Sequence, residues 1–135
     1  TCALPILDVA NCLPKDKSDY DSIKLLKALP KPELKLILPD LLEWTQDINW
    51  PVAPLIIDEL LIPLGQDLIP SLKNILVSKE YDWIQNILWH LIRKLDIGII
   101  SSLKEELYML TQSKNKDFIE YDIPEIAEGL LAQIK

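Results

Sequence analysis

The chain holds one histidine, His90, in the stretch "NILWHLIRKL" with Arg93 and Lys94 close behind it. A lone imidazole can act as a general base, but only with an orienting partner and a nucleophile in reach. No residue stands at a spacing that marks either role. His90 therefore reads as a helix-surface residue, and no catalytic residue is expected. Asp58–Glu59 and Glu105–Glu106 are adjacent acids. Paired carboxylates can cleave a glycoside or hold a metal, yet neighbours on a helix diverge by about 100°. A shared site would need acids from other helices, so solvated faces are the simpler reading. The two cysteines, Cys2 and Cys12, lie near the N-terminus, and no second Cys/His pair completes a four-ligand zinc set. Neither metal nor cofactor is expected. The thiols are read as reduced, with a short-loop disulfide as the alternative.

Charge narrows the partners. The net charge is −7 and the pI about 4.6, which disfavours nucleic acid and anionic membranes, since both need a positive face. From Leu36 to Leu72 there is no Lys, Arg or His, while Asp40, Glu43, Asp47, Asp58, Glu59 and Asp67 all fall there. Asp40, Glu43 and Asp47 share a helix face at spacings of three and four. They make either a plain solvent face or an acidic binding stripe. Among the tryptophans, Trp44, Trp50 and Trp83 are expected in the core. Trp89 stands in line with Gln85 and Arg93, off the apolar stripe of its helix. It packs on a neighbouring element or anchors a partner.

The elements that position these residues follow from periodicity. Nearly half of the 135 residues are apolar, enough for one domain with a real core. No low-complexity stretch divides the chain. The longest apolar run, "VAPLIIDELLIPL", is interrupted by Asp58 and Glu59, so no membrane span is expected. The start lacks the basic end of a signal peptide. A cytoplasmic location is expected, although a start at Thr1 without Met leaves a removed upstream piece and a secreted form open. Ile84, Ile87, Leu88, Leu91, Ile92 and Leu95 form one helical stripe, and Ile123, Ile126, Ala127, Leu130, Leu131 and Ile134 form another. No stretch alternates with period two. The pattern predicts an all-α chain with helices near 20–29, 33–46, 50–63, 66–77, 81–95, 98–111 and 122–134. Residues 1–17 form an N-terminal segment, 18–111 the repeats and 122–134 a capping helix. Pro39 should bend its helix. Pro51 should open the next, with Asp47 or Asn49 accepting from its first N–H groups. Asp122 and Glu125 should cap the last helix, and Gly65 and Gly98 should end helices in left-handed conformation.

The segments also repeat. "LPDL" at Leu38–Leu41, "IPSL" at Ile69–Leu72 and "ISSL" at Ile100–Leu103 recur at a spacing of 31. "SLKNIL" resembles "SLKEEL". Asn49–Trp50 is echoed by Asp82–Trp83. These matches describe an αα repeat. The order Pro39, Asp47, Val52 resembles the HEAT repeat, with Ala53 where a basic residue usually follows. The second unit keeps Pro70 but has Ser78 in place of the aspartate, and the third has Ser101 in place of the proline. The segments "LPKDKSDYDSI", "LPDLLEWTQDINWPVA" and "LIPSLKNIL" are similar to a family of small, mostly bacterial, HEAT-like proteins classed only as a domain of unknown function, over residues 13–110. The resemblance implies a short right-handed α-α superhelix of about three helix pairs and no reaction.

Together these observations point to a non-catalytic protein-interaction module. Its binding wall would be built from the second helices, 50–63, 81–95 and 122–134, presenting Asp58, Glu59, Gln85, Trp89, His90 and Arg93 to a protein with a basic patch. An immunity-type protein neutralising a basic toxin is one concrete form. The alternatives are a HEAT-like DNA glycosylase, which would need a basic face, and an accessory subunit of a larger assembly.

Overall fold

The computed structural model describes residues 12–134. Cys2 and most of the N-terminal segment lie outside them, and with them the question of a Cys2–Cys12 bridge. Every regular element among the described residues is helical, as the periodicity predicts. Contacts cluster in two compact units, one ending at Leu64 and the other beginning at Gly65. The sequence reading treats the chain as one domain.

The first unit opens with α1, Tyr20–Lys27. Asp19 caps it, its carboxylate accepting from the Ser22 backbone N–H at 3.2 Å and the Ser22 hydroxyl at 2.6 Å. The Ser22 hydroxyl is the main cause that holds the Asp19 carboxyl below its ordinary range. The helix expected at 33–46 is two, α2 (Lys31–Leu36) and α3 (Leu38–Glu43), with Ile37 turned out of helical conformation between them (φ −112°, ψ 17°). Pro39 explains the break. With no N–H, it cannot continue the helical bond to the Lys35 carbonyl, and its ring crowds that carbonyl. The Ile37 N–H bonds to Leu34 instead, at 3.1 Å. So Pro39 does more than bend the helix: it stands second in a new one, as Pro32, Pro70 and Pro124 do in theirs.

The next segment differs most from expectation. The short helix α4, Val52–Leu55, runs into a π-helix over Ile56–Leu61. With bonding to the fifth residue back, positions four and five apart share a face. Ile56, Ile57, Leu60 and Leu61 are thereby all buried, while Asp58 stays exposed and Glu59 half-buried. Pro54 costs nothing in the first turn of α4, where an N–H would have no partner in the helix. The predicted cap is absent. Asp47 Oδ1 accepts from the Asn49 backbone at 2.9 Å, within the turn. The first N–H of α4, on Val52, bonds to the Lys17 carbonyl at 3.0 Å. A distant strand of backbone thus does the work assigned to Asp47 or Asn49. Trp44 and Trp50 meet edge to face at 5.5 Å. They and Trp83 are half-buried rather than core, as suits rings too large to be enclosed at the rim of a small unit.

The chain turns at Gly65 (φ 56°, ψ −120°), the one described glycine with positive φ. The second unit then holds α5 (Ile69–Leu76), α6 (Tyr81–His90), a 3₁₀ turn at Ile92–Lys94, α7 (Ile97–Ser102), α8 (Lys104–Thr111), α9 (Lys116–Glu120) and α10 (Ile123–Ala132). Gly98 is not a left-handed terminus; it lies within α7, after an extended Leu95 and Asp96. Helix α9 occupies the connection expected at 112–121. Asn115 caps it by accepting from Asp117 and Phe118 at 2.9 and 3.3 Å, and Phe118 is buried. Helix α10 packs on α8 and α6, and α5 packs on α6 and α8. Their facing stripes, including Leu72, Ile84, Ile87, Leu88, Leu107, Ile123 and Ala127, form this unit's core.

Candidate functional site

A cleft of about 650 Å³ runs between α6 and α10 in the second unit. From α6 and the turn after it come Gln85, Asn86, Trp89, His90 and Arg93, which share one helix face at spacings of one, three and four. The apolar stripe Ile84, Ile87, Leu88 and Leu91 points the other way, into the core. From the opposite side come Asp122, Glu125, Ile126, Gly129, Leu130 and Gln133. Ile126 and Leu130 give the cleft an apolar floor. Gly129, at mid-helix, has nothing within 4 Å of where a Cβ would stand. Glycine in a helix interior costs up to about 1 kcal/mol relative to alanine, so α10 gives up stability where the cleft is open.

The start of α10 is fixed against the start of α6 through Tyr121. Its carbonyl accepts from Gln85 Nε2 at 2.9 Å. Its ring lies 4.8 Å from that of Tyr81. The hydrogen bond from its hydroxyl to Asp82 is the main cause, with that carboxylate's charge, that raises the phenol above its ordinary range. Asp122, next in the chain, is left-handed (φ 59°, ψ 21°) and makes no side-chain cap bond. The expected cap is therefore replaced by a turn conformation that aspartate tolerates better than most residues. The carboxylates of Asp122 and Glu125 are left to the cleft.

At the other end, the Arg93 guanidinium lies 4.0 Å over the Trp89 ring, which is 45% exposed. Stacking holds the planar fork in place while leaving its N–H donors available. Arg93, Asp122 and Glu125 form no ion pair among the described residues. The cleft thus contains separated, unneutralised charges of both signs, an aromatic face and an apolar floor. No group of three or more His, Cys, Asp or Glu suited to a metal occurs among the described residues, nor does any helix there have the length and apolarity to cross a membrane.

Of the six residues singled out from sequence, the structure brings Gln85, Trp89, His90 and Arg93 together. Asp58 and Glu59 belong to the first unit and do not line the cleft. Glu59 lies 3.4 Å from Lys27 of α1, so the acids of 36–72 are not all uncompensated: a base from outside the stretch reaches one. Sequence reasoning gave helix 122–134 to the binding wall but singled out none of the α10 residues that line the cleft. Their one usable signal was Gly129, a glycine inside a strong amphipathic pattern with no turn beside it. In the first unit a small recess of about 270 Å³ is lined by Glu43, Trp44, Gln46 and Trp50.

A helical protein in two compact units, with an open cleft of mixed charge in the second, is the class these features define. The chain belongs to the family described as domain of unknown function (DUF5071), which matches residues 12–131. That match takes in all but the last residue of α10 and most of the cleft's far side, beyond the 13–110 suggested by the resembling segments. No curated protein matches the chain.

Proposed function

We propose that this chain is a non-catalytic protein-binding module built from HEAT-like helix pairs, and that it seats a segment of a partner protein in the α6–α10 cleft. The observation that carries this is the cleft itself: an exposed tryptophan organising an unpaired arginine, facing a helix that is glycine where space is needed. Aromatic and arginine side chains beside an apolar floor are what protein interfaces concentrate. Repeat character is supported by Pro39 and Pro70, which take the second position of their helices at the sequence spacing of 31. It is supported further by the packing of α5 on α6 and of α8 on α10. The acidic net charge favours a partner with a basic surface, by steering encounter. An immunity-type role, neutralising a basic toxin, agrees with the size and charge.

The test uses three full-length baits on one native lysate: the wild type, Gly129→Leu and Asp58→Lys with Glu59→Lys. A leucine at 129 enters open cleft space without displacing a core atom, so the fold should remain. Gly129→Leu is expected to lose the protein that the wild type captures, by at least tenfold, and the double charge reversal to retain it with slower association at low salt. Equal capture by the wild type and a folded Gly129→Leu would refute docking in this cleft.

A further inference from the structure

Building on the docking reading above, we propose that the cleft's occupant is an extended peptide segment carrying charges of both signs, with an apolar side chain between them. The cleft's own charges are segregated along its length. Asp122 and Glu125 stand at the end where α6 and α10 begin together, held there by Gln85 and Tyr121. Arg93 stands past the end of α6, in the 3₁₀ turn eight residues beyond Gln85, and forms no ion pair with either acid.

An extended chain lying along the cleft sets a cation on the acid pair and an anion on Arg93. Stacking on Trp89 orients the guanidinium fork before any ligand arrives, which suits a carboxylate. Between the ends, Ile126 and Leu130 offer apolar surface and Gly129 leaves room for a side chain. A uniformly basic segment would meet Arg93 as a repulsive contact, so the partner's docking segment is of mixed charge even where its surrounding surface is basic.

The test titrates the full chain at low salt with four capped pentapeptides that differ only at their ends: Lys-Ala-Leu-Ala-Glu, Glu-Ala-Leu-Ala-Lys and the same core with two lysines or two glutamates. Amide chemical shifts report binding. One of the mixed peptides is expected to bind at least tenfold more tightly than either uniform one. Arg93→Glu should move the preference to the two-lysine peptide, and Asp122→Lys with Glu125→Lys to the two-glutamate peptide. A wild type that prefers two lysines would overturn the mixed-charge assignment while leaving a basic partner in place. If no peptide binds but Gly129→Leu still abolishes capture from lysate, the cleft docks something else and this inference fails alone. If neither effect is seen, both fall. Binding of free lysine or glutamate as tightly as the best peptide would also overturn it.

Discussion

Leu107→Ala is expected to lower the stability of the folded chain by about 2–5 kcal/mol, the cost of leaving a cavity where a fully enclosed leucine stood. Leu107 is 0% exposed and belongs to α8, the helix against which α10 packs. Its neighbours on the same face, Leu103 and Leu110, are buried too, so little around it can collapse into the gap. Against a total stability of roughly 5–15 kcal/mol for a domain, that is a large fraction. Denaturant unfolding followed by circular dichroism measures it, with a reduced midpoint and an unchanged slope expected. Because α8 supports one side of the cleft, partner capture should fall in proportion to unfolding. A loss below about 1 kcal/mol would mean that α8 does not carry the second unit's core.

Gly65→Ala is the second large effect. At φ 56°, ψ −120° a side chain meets its own backbone, whatever the surrounding space, and such conformations cost about 1–3 kcal/mol. Ile99 Cδ1 would lie 3.9 Å from the new Cβ, an ordinary contact, so the penalty is one of backbone strain rather than crowding. Gly98→Ala should do the reverse. That residue is inside α7 with open space around it, and alanine there should add about 0.5–1 kcal/mol. The two midpoints should therefore move in opposite directions. A shift of the same sign in both would contradict the conformations described for one of them.

The contrast between these glycines shows what the sequence could and could not convey. Both stand after apolar runs, so both read as helix ends. The distinction lies in Leu95 and Asp96, whose extended backbone ends the preceding helix without a left-handed residue. Long amphipathic stripes were legible because their burial follows directly from period: Ile84, Ile87, Leu88, Leu91, Ile92 and Leu95 are all buried. In α10 the same reasoning placed Ile126 with the core, yet it is half-buried, because the face it shares with Gly129 lines the cleft. Period identifies a stripe but not which of its edges stays uncovered. The π-helix at Ile56–Leu61 was hidden for a related reason. A segment apolar on nearly every side has no polar face to report its winding, and Asp58 with Glu59 fit either helix. Caps were misread where backbone from elsewhere supplied the bond, as Lys17 does for Val52. Half of the cleft was foreseeable because Gln85, Trp89, His90 and Arg93 interrupt an apolar pattern on one helix. For its other half the sequence offered helix 122–134 as a whole, and which of its residues face α6 required the packing.

The most direct measurement is amide chemical-shift mapping of the full chain as the captured partner, or its minimal docking segment, is added. Docking in the cleft predicts perturbations concentrated at residues 85–93 and 122–133, with the Trp89 indole among the most displaced and the Gly129→Leu variant showing none of them. Perturbations confined to residues 40–59, with Trp89 and Gly129 unmoved, would contradict it.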